Sequence, residues 1–314
     1  MRKTSLNCVY ELAQKEERVL FIGSDLGPSV LHEFKENIPE RFFMEGISEQ
    51  YIIGMAAGLA LDGFIPYVNT IATFLTRRCF EQITVDLCMH DLPVRLIANG
   101  GGLVYAPLGP THQAIEDIAI LRTLPNMTIV APCDADEMKR LIYASLDWPH
   151  PIYIRLAKGG DPIVSKSELG FEIGKGILLR NSGKILFVTT GITTQRAMDA
   201  AEYLAQESIE CSVYHMHTTK PFDYKGLISV AESAELVITI EEHVLNGGLG
   251  SAVLETFSDY GLVKKVHRLG IPDLFPVQYG TQDILMSSFG LDTENIVKTV
   301  RNHCNSKNKI EQKL

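Results

Sequence analysis

Paired cysteines, basic charge and long apolar runs are all in short supply in this 314-residue sequence. Cys8, Cys79, Cys88, Cys133, Cys211 and Cys304 are scattered and form no C-x-x-C pair. That argues against a disulfide frame or a zinc site and for the reduced, mostly buried thiols of a cytoplasmic protein. The 29 Lys and Arg against 38 Asp and Glu leave a formal charge of −9, the wrong sign for nucleic acid or an anionic membrane surface. No apolar run approaches the roughly 20 residues that span a bilayer. The first residues, Met1-Arg2-Lys3-Thr4-Ser5-Leu6, lack the apolar core of a signal peptide. H-E-x-x-H, EF-hand and clustered Cys/His patterns are missing, so no protein-built metal site is expected. So is G-x-S-x-G, against a hydrolase elbow. G-x-G-x-x-G and the P-loop are also missing, against a nucleotide-binding Rossmann module.

What is present is an ordinary core-forming composition, 46% hydrophobic and 21% charged, in a chain long enough for about two domains. A weak helical pattern covers 3–16. Strands are expected at 18–23, 42–47, 64–69, 93–98, 127–130 and 151–156, with helices at 50–61, 73–90, 113–121 and 134–145 between them. The strands are continuous apolar runs, the pattern of a parallel sheet covered on both faces. Gly, Pro and charge interrupt 158–183, which reads as a linker carrying one or two strands. Alternation then resumes, with strands at 185–190, 211–216, 236–241 and 264–269 and helices at 195–206, 281–289 and 292–303. The expected fold is two α/β domains with mainly parallel sheets, 1–157 and 184–304, followed by a frayed polar tail, 305–314.

The organising stretch is Gly46-Ile47-Ser48-Glu49-Gln50-Tyr51-Ile52-Ile53-Gly54-Met55-Ala56-Ala57-Gly58. It reads as a strand end, a turn and a helix whose small residues let it lie close to a neighbour. Glu49 sits at the turn with no basic residue within seven positions on either side. In such surroundings its pKa is expected to rise, and a protonated carboxyl is a hydrogen-bond donor. The simpler reading is a first-turn carboxylate that caps the helix. A second stretch, Gly100-Gly101-Gly102 to Gly109-Pro110-Thr111-His112-Gln113, follows a strand at the edge where α/β proteins bind ligands. Its glycines allow close approach of a ligand. His112 is expected at a helix start, held neutral by the dipole and able to exchange protons with a substrate hydroxyl; the alternative is a histidine that only caps or packs. Asn246-Gly247-Gly248-Leu249-Gly250 reads as a packing turn in preference to an anion site. Arg155, ending Tyr153-Ile154-Arg155, reads as a surface charge or an anion ligand.

Four motifs in order, Gly46-Ile47-Ser48-Glu49-Gln50, Thr73-Phe74-Leu75-Thr76-Arg77, Gly109-Pro110-Thr111-His112-Gln113 and Tyr153-Ile154-Arg155, resemble the pyrimidine-binding domain of transketolases. Val188-Thr189-Thr190-Gly191 and Lys220-Pro221-Phe222-Asp223 are similar to marks of the transketolase C-terminal domain. The resemblance covers roughly residues 2–300. It implies thiamine diphosphate chemistry, in which the cofactor does the hard step and the protein tunes it. On that resemblance Glu49 matches the glutamate that hydrogen-bonds the pyrimidine ring and activates the cofactor, which raises it from a cap to a catalytic candidate. Phe74 matches an aromatic beside the pyrimidine, with Ile71 where several relatives carry another. Asp25 matches a cofactor contact. His112 matches a histidine that contacts substrate hydroxyls. Arg155, Arg2 and Ser29 match ligands of a sugar phosphate.

Two departures bear on substrate. Members of the family carry Glu-Asp-Gly-Pro-Thr-His where this chain has Pro107-Leu108-Gly109-Pro110-Thr111-His112, and a histidine where it has Gly100. These changes point away from the ordinary pentose phosphates. Gly-Asp-Gly, the family's mark of the domain that holds the diphosphate through a divalent cation, does not occur. The resemblance therefore implies the second (β) subunit of a split transketolase. An N-terminal partner subunit would hold the diphosphate and Mg²⁺, the cofactor would lie between the chains, and the assembly would be α₂β₂ with this subunit dimeric. The reaction would move a two-carbon ketol unit between phosphorylated sugars. The alternatives are a deoxyxylulose-phosphate-synthase-like or 2-oxoacid-dehydrogenase-β-like thiamine enzyme and, from another class, a non-catalytic assembly or regulatory homologue.

Overall fold

The computed structural model describes residues 1–23 and 30–311. The first sheet has seven strands: β1 (Val19–Gly23), β2 (Phe42–Met44), β3 (Ile65–Ile71), β4 (Arg95–Asn99), β5 (Thr128–Val130), β6 (Ile152–Leu156) and β10 (Thr218–Lys220). The second has five: β7 (Ile177–Arg180), β8 (Ile185–Thr189), β9 (Cys211–His215), β11 (Leu236–Val244) and β12 (Lys265–Ile271). Spatial order is β10-β5-β6-β4-β3-β1-β2 in the first and β12-β11-β8-β9-β7 in the second. All pairings are parallel except two edges, β10 on β5 and β7 on β9. Two mainly parallel α/β sheets are what the unbroken apolar strands led one to expect. β1, β4, β5 and β6 are buried at every residue, so helices must cover both faces.

The stretch 158–183 does carry one strand, β7, which joins the edge of the second sheet. The first sheet in turn borrows its edge strand, β10, from the second half. One core cluster spans both halves, from Leu6 and Phe21 to Phe187 and Ile240. Smaller ones lie behind the helix Glu49–Leu61 and beneath the helix Leu249–Asp259.

Four local expectations change. Residues 73–90 are not one α-helix: wide π turns occupy Phe74–Arg78 and Ile83–Cys88. The helix expected from 113 begins only at Asp117, because Ala114 bridges to Gly101 and Gly102 and holds Gln113 extended. In the helix Glu49–Leu61, Ala56, Ala57 and Ala60 pack inward, but a methyl at Gly58 would meet nothing within 4 Å and one at Gly54 only Asp86, at 3.9 Å. Those two glycines therefore pack against no neighbour within the described chain. Finally, the last helix continues through Glu311 (Thr293–Glu311). The sequence of 305–311 is mostly polar, but it contains no Gly or Pro to stop the helix.

Candidate functional site

β2, β3 and β4 end at the same edge of the first sheet, and each delivers one candidate residue. β1 lies between β2 and β3, so the chain reverses its direction of travel across the sheet here, the place where open α/β sheets bind ligands. Glu49 opens the helix after β2 and is 2% exposed. It is not without a cation, however. Arg78 Nη1 lies 2.5 Å from Glu49 Oε2, and Gln50 Nε2 holds the Arg78 carbonyl at 3.1 Å. The cation-free surroundings expected from the sequence are thus corrected by a residue 29 positions downstream.

Arg78 also connects Glu49 to the other candidates. Its guanidinium lies over the Phe74 ring, 4.3 Å from the centroid. The ring meets the His112 imidazole edge-on at 5.2 Å and 65°. Glu49, Arg78, Phe74 and His112 therefore form one contiguous group. The π turn Phe74–Arg78 lets adjacent arginines diverge. Arg78 turns to Glu49, while Arg77 pairs with Glu116 and donates to the Gln113 carbonyl at 2.8 Å. Arg77 thereby fastens the His112 segment beside Phe74.

His112 is not at a helix start. It ends a single 3₁₀ turn, Pro110–His112. Its Nδ1 is 2.9 Å from Thr111 Oγ1. The glycines before it make room for the protein's own side chains. A Cβ at Gly100 would lie 2.1 Å from the Tyr105 ring, one at Gly101 2.4 Å from Arg155 Cγ, and one at Gly102 2.3 Å from Glu242 Cδ.

Arg155 is 6% exposed. It donates to Asp117 (Nε–Oδ2 2.8 Å, Nη2–Oδ1 3.2 Å) and, from Nη2, to the carbonyls of Ala114 and Glu242 at 2.9 Å each. Burial raises the Asp117 carboxyl, and the Arg155 charge more than offsets this, holding it below the usual range. Tyr153 adds a hydrogen bond to Asp117 Oδ2 at 2.7 Å. Arg155 therefore belongs to a buried ion pair rather than standing as a surface charge. Arg2 opens the helix Arg2–Ala13, and its Nε is buried with no hydrogen-bond partner among the described residues. Asp25 and Ser29 lie outside the described residues.

The edge holds polar atoms that the protein does not pair. The hydroxyls of Thr70 and Thr73, the Asn99 side-chain oxygen and both amide atoms of Gln113 are buried without a partner among the described residues. Asn99 Nδ2 is engaged, by Asn69 Oδ1 at 2.6 Å. Buried polar atoms are nearly always satisfied, so a polar ligand fits this edge. A carboxylate, an aromatic face and orphaned amide and hydroxyl groups suit an aminated heterocycle. Sequence reasoning missed Arg78, although it follows Arg77 of a motif already singled out, and missed Glu242 and Asp117.

Two other buried clusters are self-contained. Glu241 Oε2 and Oε1 accept from the backbone N–H groups of Leu249 (2.6 Å) and Gly250 (2.8 Å). The 246–250 turn is thereby occupied by the protein's own carboxylate, which burial pushes up to about 7. Cys133 Sγ, a Glu137 oxygen and a His215 nitrogen lie within 4.8 Å of one another. Glu137 Oε2 is already bonded to His215 Nε2 at 2.8 Å and to the Cys133 N–H at 2.7 Å.

Comparison with known proteins follows this geometry. Residues 1–160 match the family described as transketolase, pyrimidine binding domain, and residues 174–296 match transketolase, C-terminal domain. The chain is 34% identical to one subunit of the apulose-4-phosphate transketolase of Phocaeicola vulgatus, over 95% of each sequence. It is 35% identical to the 1-deoxy-D-xylulose-5-phosphate synthase of Caldanaerobacter subterraneus, over 92% of this chain but 46% of that one. Among solved structures it superposes on a split-gene transketolase, an inactive β4 tetramer, with a TM-score of 0.86 at 35% identity and 96% coverage of both chains.

Proposed function

The chain belongs to the transketolase family, and from that premise we propose that it is the β subunit of a split, thiamine-diphosphate-dependent transketolase. The observation that carries this reading is the contiguous group of Glu49, Arg78, Phe74 and His112 at an edge with orphaned polar atoms. The bound cofactor would supply the carbon nucleophile that moves a two-carbon ketol unit between phosphorylated sugars.

This chain's part is to bind and to move a proton. Glu49 would hold the pyrimidine ring nitrogen and share a proton with it. The carboxylate is dry, and its neighbour Arg78 is 41% accessible and so free to yield its place. Phe74 would lie against the pyrimidine. His112 would meet substrate hydroxyls, with its ring steadied by Phe74 and Thr111. Arg2, Ser29 and Arg155 would be the phosphate ligands. The partner subunit would hold the diphosphate and Mg²⁺, since Gly-Asp-Gly is missing here, and two copies of each chain would assemble. The deoxyxylulose-phosphate synthase reading is second. It has the whole-chain likeness to such synthases in its favour.

The test is calorimetric titration of thiamine diphosphate and Mg²⁺ into this chain, alone and co-purified with a diphosphate-binding partner. Binding only to the complex, abolished by Glu49→Gln, is the expected result. Tight binding to the isolated chain would overturn the shared site. No binding to either would leave a non-catalytic homologue.

A further inference from the structure

The second half of the chain reaches the site edge at Tyr279, whose ring lies 3.2 Å from where a Cβ at Gly109 would stand, and at the end of β11. Its tip, Glu242-His243-Val244, runs beside the segment that carries His112. Glu242 Oε1 accepts the Leu103 N–H at 2.8 Å and Gln282 Nε2 at 2.7 Å. The Val244 N–H donates to the Ile115 carbonyl at 2.8 Å, and the Ala119 N–H donates to His243 Nε2 at 3.2 Å. Arg155 bridges the two, with one nitrogen on the carbonyls of both Ala114 and Glu242. Both ends of the 102–115 segment are therefore tied to the same short tip. Gly102, at φ +65°, leaves the space that the Glu242 carboxylate fills. Glu242 is 3% exposed.

We propose that Glu242 is a positioning residue: it sets the 102–112 segment, and through it His112, so that the second half of the chain aligns the substrate end of a site whose cofactor end lies wholly in the first half. This rests on the functional reading above only where substrate is concerned. The mechanical part concerns the chain itself. Glu49 and Phe74 hang on β2 and β3 and do not depend on this tie. The division of labour is that loosening Glu242 disturbs the histidine and leaves the pyrimidine-facing residues in place.

Three variants test it. Glu242→Met keeps the volume and removes the acceptor, Glu242→Gln keeps one oxygen for both donors, and Gln282→Leu withdraws only the outer partner. Hydrogen exchange is followed on the full chain without ligands. Glu242→Met is expected to speed exchange of the 100–113 amides by about tenfold or more, the loss of one charged hydrogen bond, with amides of β3 and the helix Glu49–Leu61 unchanged. Glu242→Gln is expected to restore most of the protection, and Gln282→Leu to give a smaller rise in the same peptide. In the co-purified complex, Glu242→Met should raise the sugar KM about tenfold while thiamine diphosphate affinity stays within about twofold. Unchanged exchange at 100–113, or a rise spread evenly over both sheets, would overturn the proposal. If the complex shows no transketolase activity at all, the exchange data still decide the mechanical part, and only the functional reading falls.

Discussion

Glu49 and Glu241 are both buried glutamates at the positive end of a helix, yet they are held in different ways. Glu241 is closed on itself: two backbone N–H groups of the helix Leu249–Asp259 take its two oxygens, and no part of it reaches solvent. Glu49 faces a side chain, Arg78, that is 41% accessible. The backbone cannot leave Glu241, whereas a surface arginine can leave Glu49. The same residue type in the same dipole field is a permanent plug in one sheet and an exchangeable contact in the other. Only the second is paired with a side chain that can swing aside.

The comparison breaks most visibly through activity. Glu49→Ala in the co-purified complex should lower kcat by about 10²–10⁴-fold, the usual weight of a proton-transferring group, in a coupled sugar-phosphate assay. Retained activity would remove Glu49 from the chemistry. The next largest effect concerns the buried ion pair of the first sheet. Asp117→Asn strips the partner from the buried Arg155 and should cost about 3–5 kcal/mol in urea unfolding. A loss under about 1 kcal/mol would show that Arg155 has another counter-charge.

Glu241 predicts a pH dependence. Its folded value, about 7, is raised from 4.5 by burial. Its stabilising contribution is complete below 4.5 and fades as pH rises through about 7, since the unfolded chain then holds fewer protons. Glu241→Gln should flatten unfolding free energy between these limits, and an unchanged slope would discount the burial. Smaller still is Arg78→Met. The half-exposed pair should contribute at most about 1 kcal/mol to folding, and its removal should tighten thiamine diphosphate binding to the complex a few-fold. Weaker binding would make Arg78 a cofactor contact instead of a placeholder. Least of all, Gly58→Ala enters open space and should stabilise the isolated chain by about 0.5–1 kcal/mol. If the same change weakens assembly with the partner, the glycine serves a contact between chains.

The sheets were legible because buried parallel strands read as unbroken apolar runs, and Glu49, Phe74 and His112 stood out as motifs at the ends of such runs. The electrostatics of the site were not legible. Arg78 is distant from Glu49 in sequence, and the wide turn that aims it leaves the apolar spacing of 73–90 close to that of a helix. Gly100, Gly101 and Gly102 were read as room for a ligand, but a glycine answers in the same way to a ligand and to Tyr105, Arg155 or Glu242. His112 was placed at a helix start because apolar spacing begins at Ala114, and spacing does not report that Ala114 is pinned to the glycine loop. The burial of Arg155 was not legible because its counter-ion, Asp117, arrives from another element.

The strand β10 has a consequence for how the chain can be cut. Thr218–Lys220 closes the edge of β5, and Lys220 Nζ reaches over to the Arg122 carbonyl at 2.9 Å. A protease that nicks the exposed stretch around 158–162 would leave two fragments still laced together by backbone hydrogen bonds and a shared core. They should migrate as one particle until denaturant is added. A chain terminated in that stretch would present a bare, apolar sheet margin to its copies and precipitate. Neither half has a finished outline without the other.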